Sequence, residues 1–179
     1  KRYGTHTELI WGLFTNKMYT DYKELFLNNA VTLNASQRTD IKALYEVAQF
    51  TADSKDLRYT SFFQDKGYDG HLFIRLLNST EMASNKPTLY FRGSCLVRLP
   101  EMYYILAEAN YSKDKEKALD YLNAVRGSRG LADIEVSLVD SRDKFMKEMT
   151  RERMREFYGE GQMFGFYKCH NLGFRDFQD

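Results

Sequence analysis

The chain is poor in the residues and patterns that would settle its class at once. Cysteine occurs only at Cys95 and Cys169, far apart and without Cys-x-x-Cys or Cys/His spacing, so neither a zinc site nor a disulfide-stapled mini-domain is indicated. The pair is compatible with two thiols or with one bridge. The longest apolar run, residues 9–14, is interrupted by Gly12 and falls far short of the ~20 residues that a membrane-spanning helix needs. Charge of one sign is also missing. The 26 basic and 25 acidic side chains leave a net +1, and so no overall field to attract nucleic acid or an acidic membrane. Lys1 opens the chain without Met, signal peptide or lipidation cysteine, which suggests a processed chain or an ordered fragment of a longer protein.

What is present is globular. With 43% hydrophobic and 28% charged residues among 179, the composition excludes a disordered tail, a collagen-like fibre and a low-complexity linker. A chain of this size buries ~70% of its unfolded surface, enough for a core of its own. Aromatic residues reach 15%, with 13 Tyr, 13 Phe and one Trp, more than one small core requires. Part of that tyrosine is expected to face water or a ligand.

Hydrophobic periodicity divides the chain at about residue 93. Residues 9–11 read as a short strand. A helix is expected to begin after Asn34-Ala35-Ser36, N-capped by Thr39 or Asp40, to carry Ile41, Leu44, Tyr45 and Ala48, and to stop near Phe50. Between residues 56 and 93 the segments LRYTSFF, HLFIRLL and TLYFRG alternate with turn clusters, which predicts a small antiparallel ribbon and no helix. Three helices should follow. The first, at about 100–111, has Pro100 in its first turn and repeats Leu99, Met102/Tyr103, Leu106 and Ala109/Asn110 on one face. The second carries Ala118, Leu119, Leu122 and Val125 and is expected to end at Gly127. The third, at about 141–158, presents Phe145, Met149, Arg153 and Phe157 in one stripe. The spacings Tyr103-x-x-Leu106-Ala107 and Ala118-x-x-x-Leu122 fit a tetratricopeptide-like hairpin, whose small residues let two helices approach while Tyr103, Leu106 and Leu122 fill the core.

Candidate chemistry is sparse. Glu148, Glu152 and Glu156 descend the third helix at four-residue steps, which raises a glycoside hydrolase using Glu152/Glu156. Neighbours four apart stand ~5–6 Å apart at Cβ, close to the ~5–5.5 Å of a retaining pair, but such enzymes place the two carboxyls on different elements across a cleft. Glu148 to Arg151 and Glu152 to Arg155 are three-residue pairs, so the acidic stripe is better read as neutralised structure. None of His6, His71 or His170 follows a Glu by three residues, and no G-x-S-x-G or phosphate-binding glycine pattern occurs. No metal or cofactor site is therefore expected, and no catalytic signature surrounds Cys95 or Cys169. Trp11, Tyr19, Tyr22 and Tyr68 lie in segments that the pattern does not make helical core, and a flat ring suits the apolar face of a sugar while nearby polar groups take its hydroxyls. These four are the candidate ligand contacts.

Three ordered motifs then carry a resemblance. They are Arg98, Leu99, Glu101, Met102 and Tyr103; Ala118, Leu119, Asn123, Val125 and Arg126; and Glu152, Arg153, Glu156, Phe157, Glu160 and Gly161. Together LVRLPEMYYILAEA, KALDYLNAVRGSRGL and RERMREFYGEGQMFGFYK resemble the carboxyl-terminal half of the SusD/RagB family of Bacteroidetes. The segment Asp56-Leu57-Arg58-Tyr59 is similar to the family's Asp-x-Arg element before its central strands. Where the family often continues Arg-x-x-Asp-x-x-Arg after Glu-Gly, only Lys168 keeps the basic end here.

The resemblance implies a mainly α, SusD-like fold in which residues 1–179 form a single carboxyl-terminal domain, extended and β-rich with one helix up to about 93 and helical over 94–170. It further implies a surface-exposed outer-membrane lipoprotein that captures glycans or other nutrients without catalysis. Such a protein hands its cargo to a SusC-like TonB-dependent transporter and meets the membrane only through a lipid anchor on an absent amino-terminus. Arg98, Glu101, Asn123, Arg126, Glu152, Arg153 and Glu156 are then architectural, with Arg98, Glu101, Glu152, Arg153 and Glu156 forming ion pairs between helices. A repeat-type peptide-binding adaptor is the other rival, since repeat hairpins build concave protein-binding faces.

Overall fold

The computed structural model describes residues 8–14, 18–24, 32–33, 35–47, 55–65, 71–75 and 93–173. The chain divides into two units, Lys1–Leu99 and Pro100–Asp179. Helices dominate the second; the first mixes short helices with small antiparallel sheets.

In the first unit β1 (Leu9–Phe14) pairs antiparallel with β5 (Gly93–Arg98), Trp11 opposite Val97, with the register shifting on either side of Trp11. A short helix, α1 (Met18–Lys23), follows β1. A second sheet has the order β2 (Thr32–Leu33), β4 (His71–Phe73), β3 (Phe63–Asp65), again antiparallel. Helix α2 spans Ala35–Leu44, so Thr39 and Asp40 lie inside it rather than capping it. It closes well before Phe50, with Glu46 in the left-handed conformation (φ 52°) and the Val47 N–H donating to the Lys42 carbonyl at 2.8 Å, a Schellman-type ending.

Residues 57–62, expected to be extended, form α3 (Leu57–Phe62). The reason is a cap. The Asp56 carboxylate accepts the Arg58 backbone N–H at 3.0 Å and so satisfies a helix-terminal donor, which outweighs the β-propensity of Tyr59, Thr60 and Phe62. The Arg58 side chain closes on the same carboxylate as a fork, Nε to Oδ1 at 2.8 Å and Nη2 to Oδ2 at 2.7 Å. Both residues are buried, beside a core of Ile41, Tyr45, Tyr59, Phe63, Leu72 and Phe73 in which ring centroids stand 5.6–6.1 Å apart. The expected ribbon is thus real over β3 and β4. TLYFRG lies outside the described residues up to Gly93, where β5 begins.

The second unit is built on the hairpin of α4 (Leu99–Asn110) and α5 (Lys115–Ser128). Asp114 caps α5 by accepting the Lys117 N–H at 3.0 Å. Helix α5 runs through Gly127. Its left-handed terminating residue is Gly130 (φ 83°), and Leu131 is buried as its N–H reaches back to the Arg126 carbonyl. A 3-10 turn at Val136–Val139 leads to α6 (Arg142–Glu156), capped by Ser141, which accepts the Lys144 N–H. Two left-handed glycines, Gly159 and Gly161 (φ 75° each), then turn the chain into α7 (Gln162–His170), a helix that the sequence pattern did not single out.

Ala107, Ala118 and Leu122 are fully buried, as the repeat-like spacing requires. The inward face of α4 is different from the expected one. Pro100, Tyr104, Ala107 and Tyr111 point into the core, while Leu99 and Leu106 are 40% and 42% exposed and Tyr103 is half-buried. Nearly every residue of LPEMYYILAEA is apolar, so α4 offers two stripes; the aromatic one wins because its polar tips find partners. The Tyr111 hydroxyl donates to the Val139 carbonyl at 2.6 Å while its ring stacks on Phe145 at 4.1 Å. Phe145, Met149 and Phe157 complete the core from α6 and the turn after it, joined by Phe166 of α7.

Candidate functional site

Helix α6 turns Glu152 and Glu156 inward, to 0% and 1% exposure. A buried carboxylate is costly unless cations and donors surround it. The Glu152 Oε2 accepts from Arg126 Nη1 of α5 at 3.1 Å and lies 3.5 Å from Arg155 Nη1, while its Oε1 lies 3.5 Å from the Tyr104 hydroxyl of α4. Glu156 is held by a two-pronged fork, Arg129 Nε and Nη2 each donating at 3.0 Å. Glu148 pairs with Arg151 at 2.6 Å on the outer side of the helix.

Arg126 does more than neutralise Glu152. Its Nε and Nη2 both donate to the Ala132 carbonyl, at 3.2 and 3.0 Å. Asn123 completes the clamp: its amide donates to the Ile134 carbonyl at 3.1 Å and its Oδ1 accepts the Ile134 N–H at 2.9 Å. One turn of α5 therefore fixes the following loop and one carboxylate of α6 together.

The remaining motif residues behave differently from the expected interhelical pairs. Arg98 meets Glu8, just before β1, at 3.6 Å, a contact within the first unit. Arg153 is buried with its guanidinium over the rings of Tyr104, Phe157 and Phe166, at 5.5, 5.8 and 4.7 Å. Aromatic faces replace a carboxylate there because they attract a cation without needing to be desolvated as ions themselves. Burial draws the Arg153 guanidinium below its ordinary range, against the opposing influence of Glu101, Tyr104 and Glu108. Glu101 acts on Arg153 as a charge, not as a bonded partner.

The candidate ligand contacts belong to the first unit and these carboxylates to the second. Trp11 lies on β1, 58% exposed, beside the similarly exposed Ile10 and Leu13. Tyr19 and Tyr22 belong to helix α1, not to a turn, and Tyr68 lies outside the described residues. Cys169 is an exposed free thiol. Among the described residues no group of three or more His, Cys, Asp or Glu side chains could hold a metal ion, and no helix is long and apolar enough to cross a membrane. Sequence reasoning missed Arg129, since a fork closing over 27 residues has no local spacing; the only signal is a basic side chain in the small-residue segment after α5.

Comparison with known proteins gives the chain its relatives. No curated protein matches it. A solved SusD superfamily protein from Bacteroides thetaiotaomicron VPI-5482 superposes with a TM-score of 0.54 at 18% identity, covering 96% of this chain, a likeness of fold. The chain spans 43% of that protein's length. The sequence model of the SusD family matches residues 14–165, a stretch that includes α1 to α6, the buried Glu152 and Glu156 and the three ordered motifs almost entirely. The chain belongs to the SusD family.

Proposed function

We propose that the chain serves non-catalytic capture of a glycan or related nutrient at the bacterial outer-membrane surface, as part of a lipoprotein that delivers cargo to a SusC-like TonB-dependent transporter. Family membership supports the nutrient-binding role. The observation that carries the non-catalytic part is the engagement of Glu152 and Glu156, buried and closed off by Arg126, Arg155 and Arg129. A glycosidase needs two carboxyls facing each other across an open cleft. Charges clamped inside a helical scaffold have no substrate to meet. The ligand platform is assigned to Trp11, with Tyr19, Tyr22 and Tyr68 as further contacts; the exposed indole supports the first of these.

The test is a glycan array probed with the purified chain, followed by titration of the best binder against Trp11→Ala and Tyr68→Ala. Loss of a stacking ring should weaken binding about three- to tenfold. Unchanged affinity in both variants would remove the proposed platform, and release of reducing ends from any polysaccharide would overturn the non-catalytic reading. A peptide-binding adaptor is the second reading, favoured by exposed Leu99, Ile105 and Leu106 on α4. It predicts that Leu106→Asp abolishes ligand capture while Trp11→Ala leaves it intact.

A further inference from the structure

We propose that Arg153 and Glu101 form a recognition pair for the main-chain peptide group of a partner protein segment, which lays an apolar side chain on Ile105 and Leu106 of α4. The observation behind it is a guanidinium without an acceptor. Arg153 is 7% exposed, its Nε is buried without a hydrogen-bond partner, and no carboxylate, carbonyl or hydroxyl among the described residues accepts from its other nitrogens. By contrast, Arg126 and Arg155 meet Glu152, and Arg129 meets Glu156. Three rings ease the burial of the Arg153 charge, yet a rigid fork of N–H donors calls for oxygen acceptors.

Glu101 is the complementary half. It stands half-buried in the first turn of α4, acts on Arg153 as a charge, and has no hydrogen bond or ion pair of its own. The other carboxylate whose charge reaches Arg153, Glu108, is already engaged by Arg142 and His170. A donor fork and an acceptor that approach without closing on each other suit a neutral group carrying both functions. A peptide unit does so, its C=O accepting from Arg153 and its N–H donating to Glu101. A carboxylate ligand would be repelled by Glu101. Sugar hydroxyls can make the same two bonds, but the rings around Arg153, those of Tyr104, Phe157 and Phe166, are buried and offer no face to a pyranose. The neighbouring surface is aliphatic instead: Ile105 and Leu106 follow Glu101 by about one helical turn, and both are exposed. That surface takes the apolar side chain of a peptide. All of these residues belong to the second unit, so the pair is separate from the sugar platform assigned to Trp11.

The test selects random peptides of about twelve residues against the intact chain and titrates the best binder while the Arg153 Nε–H resonance is followed by NMR. The selected peptides should share an apolar residue, shift that resonance, and bind about tenfold or more weakly to Glu101→Ala and Leu106→Asp, the range for losing one partner of a charged hydrogen bond or burying a charge. Arg153→Met keeps an unbranched side chain against the three rings, so its thermal midpoint should hold or rise while peptide affinity falls by a similar factor. An arginine kept for the fold alone behaves oppositely, with a lowered midpoint and unchanged affinity, and that result overturns the proposal. Should Arg153→Met fail to fold, the two α4 variants decide: unchanged affinity in either, once folded, overturns it. So does a selection that returns no binder, or one whose binder leaves the Arg153 resonance unmoved. A shift of that resonance by the best glycan of the array, and by no peptide, assigns the pair to sugar and overturns the peptide as its occupant.

Discussion

The two units each bury a carboxylate under guanidinium groups, and they reach that state by opposite routes. In the first, Asp56 and Arg58 are two residues apart, and the carboxylate that holds the arginine also starts α3. In the second, Glu152 and Glu156 of α6 take Arg126 and Arg129 from 26 and 27 residues away. The first arrangement needs little more than a turn to form. The second exists only when α5 and α6 are already side by side, so its loss removes the element that fixes their relative position as well as the charges themselves. Burial alone does not distinguish the two; contact distance along the chain does.

Breaking the long-range pair should have the largest effect. Glu152→Ala leaves Arg126 and Arg155 facing an empty polar space, and a loss of about 3–5 kcal/mol is expected in urea unfolding. Asp56→Ala should cost about as much by the same accounting, with helix-cap loss included. A loss below about 1 kcal/mol for either would show that its charges hydrate without cost. The next effect sharpens the contrast between the two stripes of α4 and its partner helix. Leu122→Ala should destabilise by about 2–5 kcal/mol, whereas Leu106→Ala should cost less than about 1 kcal/mol, since much of its side chain already meets water. Equal losses would return Leu106 to the core.

The smallest expected effect is alkaline and confined to the second unit. Burial raises the phenols of Tyr158 and Tyr167 above the ordinary tyrosine value of 10.0. Their neutral forms are favoured by folding, so the unfolded chain gives up these protons first. The associated stability is whole below about pH 10 and declines as pH rises through the folded-state values. Replacing both by Phe should flatten the fall in thermal midpoint above pH 10; an unchanged slope would assign it to other groups.

The helical unit was legible wherever a local rule governed it. The α4–α5 hairpin followed from two alanines at repeat spacing, α6 from its apolar stripe, and the i, i+3 pairs from Glu148 and Arg151. The motif residues were expected to form ion pairs between helices, which Glu152 and Glu156 do with Arg126 and Arg129 and the others do not. Arg153 went to aromatic rings, Arg98 to Glu8, and Arg129 was not named at all. Periodicity reports which residues share a face, and says nothing of what lies opposite. Residues 57–62 failed for another reason: β-branched and aromatic side chains argued for a strand, and one capping carboxylate reversed the outcome.

By itself, the sequence determined the class of the second unit and the family motifs, because each depends on spacing within one helix or on the order of motifs along the chain. Only the tertiary structure decided which stripe of α4 is buried and which guanidinium serves which carboxylate. Those outcomes depend on the desolvation of groups brought together from distant parts of the chain, and that energy has no value until the helices meet.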